Sequence, residues 1–138
     1  MTAGFMRTNS APTDLRVPFA PSSVALVRQQ LRRWMAEHNA SADRIDEARV
    51  VLSELVGNSV RHAAPLPDGN MLVAWGLEAG RLRLSVTDGG SSSRPHMVSA
   101  PPSALSGRGM LIVQNLAHSW WVDRSGQRTT VHALLSMH

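Results

Sequence analysis

Glu54 and Asn58 stand four residues apart in the segment Glu54-Leu55-Val56-Gly57-Asn58, whose apolar neighbours recur with a helical period. On a helix, that spacing projects a carboxylate and an amide from one face onto one spot. A carboxylate there can take up a proton, and an amide oxygen is a ligand for a hard divalent cation. Taken alone, the pair fits a solvated helix face just as readily. Gly57 tips the balance, because glycine inside a helix costs about 0.8–1 kcal/mol relative to alanine, and asparagine is also a poor helix former. Residues that contradict their local structure tend to mark functional sites.

Two further segments follow in order. Asp88-Gly89-Gly90 is an acidic turn after an apolar strand, a weak signal by itself. Gly107-Arg108-Gly109-Met110 places a glycine pair at the opening of an apolar helix. Glycines let backbone N–H groups approach an anion, and a helix N-terminus adds a favourable dipole. Arg108 could add a charge-assisted contact. In isolation the segment is equally a flexible entry turn. Arg61 and His62, one turn beyond Asn58, could face phosphates, although cations at a helix C-terminus are favoured by the macrodipole in any case. The ordered set reads as an ATP site.

This order and spacing resembles the GHKL (histidine-kinase-like) ATPases, and within them the small stand-alone anti-sigma factor serine kinases. The resemblance spans residues 15–135. It implies that Glu54 polarises the attacking hydroxyl or water and that Asn58 binds Mg²⁺ held by the phosphates. It also implies that Asp88 accepts a hydrogen bond from the adenine amino group, with Gly90 allowing the backbone to approach the base. Gly107, Arg108, Gly109 and Met110 would line the phosphates. Gly126-Gln127-Arg128-Thr129-Thr130 is similar to the family's G-x-x-T-T strand entry, in which Thr129 would help fix the aspartate; two threonines also suit an ordinary strand. The family's next glycine after Gly90 is replaced by Ser92, a departure at the lid.

These residues need elements to position them. Residues 1–14 read as a flexible tail and 15–138 as one domain. A short edge strand is expected over 15–19, with Pro18 near its end. A helix capped by Ser22 or Ser23 should run to residue 37, with Val24, Val27, Leu31, Trp34 and Met35 as its apolar stripe. The helix bearing Glu54 should start at Ser41 or Asp43 and reach residue 62, where Pro65, Pro67, Asp68 and Gly69 stop it. Strands over 71–77 and 82–86 flank a hairpin turn at Glu78-Ala79-Gly80-Arg81. Residues 88–106 read as a lid. A short helix follows Gly109, and strands over 119–123 and 129–135 close the chain around Ser125-Gly126. Trp120-Trp121 should place one indole on each face of its strand. The expected fold is an α/β two-layer sandwich: a mixed, mainly antiparallel sheet with helices on one face, as in the Bergerat ATP-binding fold.

Composition narrows the function classes. The chain of 138 residues has no cysteine, which removes disulfides, thiolate metal sites and cysteine nucleophiles. All 14 basic residues are arginine, and without lysine neither a Walker-A loop nor Schiff-base chemistry is available. Net charge is only +4, the arginines are scattered and no aromatic-interleaved patch stands out, so direct nucleic-acid binding is not expected. The 6 histidines show no zinc spacing. No segment reaches the roughly 18 apolar residues of a membrane span, and a cytoplasmic protein is expected. Ahead of the Glu54 helix the sequence holds only a tail, a strand and one helix, so a complete sensor histidine kinase is not expected. What the resemblance implies is an ATP- and Mg²⁺-binding regulator: an anti-sigma factor with serine/threonine kinase activity toward an anti-anti-sigma (STAS-type) antagonist. Its partners would be a sigma factor, that antagonist, or both, with a homodimer left open. The alternative is a non-catalytic nucleotide-sensing protein-binding module of the same fold.

Overall fold

The computed structural model describes residues 13–90 and 105–138, with the side chains of 105–108 left aside. The elements are β1 (Thr13–Pro18), α1 (Ser23–Glu37), α2 (Ala42–His62), β2 (Asn70–Glu78), β3 (Arg81–Asp88), α3 (Leu105–Leu116), β4 (Ser119–Ser125) and β5 (Arg128–Leu135). The strands form one sheet in the order β1-β2-β3-β5-β4, and every described pairing is antiparallel. The two-layer α/β sandwich expected from the sequence is the fold observed. Thr13 and Asp14 belong to the sheet rather than to a tail, because they pair with Trp75 and Ala74. Residues 1–12, and residues 91–104 of the expected lid with Ser92, lie outside the described residues.

Side-chain alternation makes the sheet two-faced. Met71, Val73 and Trp75 on β2, Leu82, Leu84 and Val86 on β3, and Val131, Ala133 and Leu135 on β5 are buried toward the helices. They meet Val27, Leu31 and Met35 of α1, Val51, Leu52, Leu55 and Val56 of α2, and Met110 and Val113 of α3 in one core. Each fully buried aliphatic side chain contributes about 1.5–3 kcal/mol.

Local chemistry sets the helix ends. Ser41 caps α2 by accepting a hydrogen bond from Arg44 N–H (3.3 Å), with Asp43 in the first turn and Arg61 and His62 in the last, as the macrodipole favours. Ser22 occupies the N-cap of α1 without making a side-chain cap; Ser23 Oγ instead donates to the Pro18 carbonyl (2.6 Å), tying the helix to β1. Ala79 (φ 53°) and Gly80 (φ 80°) form the two-residue hairpin turn between β2 and β3.

The face away from the helices carries a polar cluster that sequence reasoning did not anticipate. His132 is 6 % exposed; its Nδ1 accepts from Ser85 Oγ (2.8 Å) and lies 3.0 Å from Arg83 Nη2. Two donors at Nδ1 place the ring proton on Nε2, which donates to Asp123 Oδ2 (2.9 Å). Trp121 stacks on the imidazole (4.9 Å between centroids), and Arg83 lies over Trp121 while pairing with Glu78. Trp120, on the other face, packs against the core.

Burial, and then the Arg83 charge, hold the His132 pKa below its ordinary value against the pull of Asp123. The unfolded chain therefore takes the proton first as pH falls through about 6.5, so this group's contribution to stability is present above that pH and lost below it. Thermal unfolding should show the midpoint dropping between about pH 7.5 and pH 5.5, with the slope reduced in His132→Gln. An unchanged slope in the variant would remove His132 as its source.

Candidate functional site

The 3.6-residue period of α2 turns Ala48, Val51, Leu52, Leu55 and Ser59 into the core and leaves Glu54, Gly57, Asn58 and Arg61 along the flank nearest α3. Glu54 is partly buried, and its carboxylate lies against Gly109: a Cβ at 109 would sit 2.5 Å from Glu54 Oε1. Arg61 folds back along the same flank, so that a Cβ at Gly57 would sit 3.0 Å from Arg61 Nη1 and one at Gly109 would sit 3.8 Å from Arg61 Nη2. Both glycines are thus places where a charged side chain occupies the space of a missing methyl. Asn58 is 9 % exposed, and its Oδ1 has no hydrogen-bond partner among the described residues. A buried amide oxygen without a donor is costly unless something else occupies it.

Asp88 meets the same helix through Ser59, the neighbour of Asn58. Alternation along β3 places it on the helix-facing side after Leu82, Leu84 and Val86, where it is 4 % exposed. Its Oδ2 accepts from Ser59 Oγ (2.6 Å) and its Oδ1 from Gly90 N–H (2.7 Å). The turn is gripped from two sides. Gly89 N–H donates to the Ala64 carbonyl (2.8 Å), and Ala64 N–H donates to the Gly90 carbonyl (3.0 Å). A Cβ at Gly89 would collide with the Pro65 carbonyl oxygen, and one at Gly90 with that of Gln127; Gly90 also adopts φ +83°. Beside the turn, a cleft of about 420 Å³ is lined by Ala64, Gly89, Gly90, Arg124, Gly126 and Gln127.

The remaining predicted residues are placed as follows. Thr129 pairs with Asp88 across the β3–β5 ladder and is 6 % exposed, but its Oγ1 accepts from Arg124 (3.5 Å). The hydroxyl that reaches the carboxylate is that of Ser59, a serine at a core-facing position beside Asn58. That position was its only sequence signal. Met110 is 1 % exposed within the core, and His62 is exposed at the end of α2. Helix α3 begins at Leu105 rather than after Gly109, so the glycines lie within its N-terminal part. Gly107 is therefore among the residues whose N–H groups lack intrahelical partners, while Gly109 makes room for Glu54. The side chain of Arg108 lies outside the described residues.

Among the described residues, no three acidic, histidine or cysteine side chains gather to hold a metal. Mg²⁺ needs no such set, since it keeps water and phosphate oxygens and takes one or two protein ligands. The unpartnered Oδ1 of Asn58 fits that demand.

Burial raises the Asp88 pKa although Ser59, Gly90 and Arg124 oppose it. The native state thus holds this proton more tightly than the unfolded chain, so the residue's contribution to stability improves as pH falls toward the ordinary carboxylate range and is least favourable at neutral pH. Asp88→Asn should raise the unfolding midpoint at neutral pH by about 2–6 °C, equivalent to roughly 1 kcal/mol, with the gain shrinking in acid. Gly90→Ala should lower the midpoint by a similar or larger amount, through the positive φ and the Gln127 collision. Calorimetry on the two variants checks both signs.

A family model described as histidine kinase-like ATPase domain matches residues 17–134. The serine-protein kinase RsbW of Bacillus subtilis (strain 168) is 27 % identical over 88 residues, which cover 63 % of this chain and 55 % of that protein. The chain thus aligns with about half the length of this curated relative. Among solved structures, the RsbU and RsbW domains of Rv1364c from Mycobacterium tuberculosis superpose with a TM-score of 0.70 at 24 % identity, covering 91 % of this chain and 32 % of that one. The SiaB-SiaC complex from Pseudomonas aeruginosa gives 0.70 at 12 % identity, covering 97 % and 95 %. These two likenesses are of fold. With the family model covering nearly the whole chain, this protein belongs to the histidine kinase-like ATPase domain family.

Proposed function

We propose that this protein is an ATP-binding regulator: a cytoplasmic anti-sigma factor that transfers phosphate from ATP to a serine or threonine of a STAS-type anti-anti-sigma antagonist. The observation that carries the reading is the buried, unpartnered Oδ1 of Asn58, one helical turn from a carboxylate that rests on the first part of α3. Family membership supports ATP as the ligand. The relative named as a serine-protein kinase supports the reaction, and the neighbour solved as a two-protein complex supports a protein partner. No described helix is long and apolar enough to cross a membrane.

In this reading the chain's residues divide the work along α2. Asp88 accepts a hydrogen bond from the base amino group, and Gly90 lets the backbone approach. Asn58 supplies one oxygen to Mg²⁺, which when bound offsets charge on the transferring phosphoryl group. Glu54 accepts the proton of the incoming hydroxyl at its carboxylate. Arg61 and His62, with the N–H groups around Gly107, face the phosphates.

Incubation of the protein with a purified antagonist and ATP·Mg²⁺ should label the antagonist on serine or threonine. Glu54→Ala should cut that rate by about 10²-fold or more while ATP still binds. Asn58→Ala should remove most of the Mg²⁺-dependent part of ATP affinity. Normal labelling by Glu54→Ala would overturn the catalytic assignment. ATP binding without transfer by the wild type would favour the non-catalytic nucleotide-sensing module.

A further inference from the structure

We infer that Ser59 is the specificity-determining positioning residue at the base end of the site: its hydroxyl fixes the Asp88 carboxylate as an acceptor for a 6-aminopurine and against a 6-oxopurine. The inference rests on the nucleotide reading above and names how that site chooses its base.

The geometry leaves Asp88 little freedom. One carboxylate oxygen is bound by a hydroxyl from α2 (Ser59 Oγ, 2.6 Å) and the other by the backbone N–H of Gly90 (2.7 Å) in the carboxylate's own turn. Donors on two separate elements hold the group in one rotation about its Cβ–Cγ bond. Each ionised oxygen has two lone-pair sites, so each keeps one after these bonds. What remains toward a ligand is acceptor capacity only. An exocyclic amino group can donate to it, whereas the O6 of a 6-oxopurine would meet oxygen lone pairs.

The Ser59 proton matters as much as its oxygen. A serine hydroxyl free to rotate could donate to O6 and admit the oxopurine. Here that proton is committed to the carboxylate in a short, charge-assisted bond. The neighbouring hydroxyl, Thr129 Oγ1, accepts from Arg124. The same helix carries Asn58 and Ser59 at consecutive positions, about 100° apart around its axis, so the cation end and the base end are held at a fixed distance by α2 itself.

Removing the hydroxyl leaves a buried carboxylate oxygen without its donor, free to turn or to take up a proton, and a protonated Asp88 would offer O6 a donor. Ser59→Ala is conservative in volume and favourable in helix propensity, and the protein should keep a cooperative unfolding transition.

Three probes separate positioning from general damage: ATP, ITP (6-oxo) and purine riboside triphosphate (no 6-substituent), each titrated calorimetrically with Mg²⁺ into wild type and Ser59→Ala. The wild type should bind ATP tightest and ITP weakest. In Ser59→Ala, ATP affinity should fall about tenfold, the scale of one hydrogen bond to a charged group. Purine riboside triphosphate should change less than about twofold, and the gap between ATP and ITP should narrow about tenfold by the same measure. Equal losses for all three nucleotides, or no change in their ranking and spacing, would overturn the inference while the wild type still binds ATP. A wild type that binds none of the three overturns the nucleotide reading and this inference together.

Discussion

The buried Asp88 carboxylate is the constraint to which the rest of the site conforms. A carboxylate 4 % exposed beside Val86 and Leu84 is expensive unless several donors meet it. Those donors come from α2 and from the turn itself, so the helix–sheet angle, the path of residues 64–65 and the two glycines after Asp88 are all committed to one group. Neither Gly89 nor Gly90 is a hinge. Each is the size that lets the backbone of another segment touch the turn. Burial raises the pKa against the pull of these bonds, so the carboxylate is costly to hold ionised in this place.

Helix α2 acts as a ruler across the site. Asn58 and Ser59 point to different surroundings because consecutive helical residues diverge, while Glu54 and Asn58 share a flank because residues four apart converge. The cost of placing Gly57 and Asn58 mid-helix, on the order of 1 kcal/mol each at most, is small beside the burial of Val51, Leu52, Leu55 and Val56 on the same helix. The core therefore sustains a helix whose flank carries Glu54, Gly57, Asn58 and Arg61. Gly57 and Gly109 leave room for the ends of the Arg61 and Glu54 side chains, which a Cβ at either position would crowd.

Much of this was legible in the sequence because it rests on periodicity. The apolar repeats gave α1 and α2, and the turn at Glu78-Ala79-Gly80-Arg81 gave the central hairpin, whereas Asp88, read as part of a turn, is the last residue of β3. The parts that were not legible depend on partners distant in the chain. Ser59 looked like one more small residue in a stripe until residue 88 was placed 29 positions away. Ser85, His132 and Asp123 carry no motif, and only the register Ser85↔His132↔Trp121 brings their neighbourhood together. The start of α3 was missed because glycine is a poor helix former by propensity, and the contact between Gly109 and Glu54 that rewards its absence of a side chain is tertiary.

The two faces of the sheet also oppose each other in their response to acid. His132 on one face favours the unfolded chain once pH falls below about 6.5, whereas Asp88 on the other favours the native state as pH falls toward the ordinary carboxylate range. The two groups therefore contribute to stability with opposite signs as pH falls. The ladder β3–β5 carries both: Ser85 and His132 pair on the outer face, three rows from Asp88 and Thr129 on the inner one. A one-residue slip of β3 would turn its side chains to the opposite face, moving Ser85 toward the core and Asp88 away from Ser59. The outer cluster, with its bonds from Ser85 to His132 and from His132 to Asp123, thus serves the site without touching it, by holding β3, β5 and β4 in the one register that turns Asp88 toward Ser59.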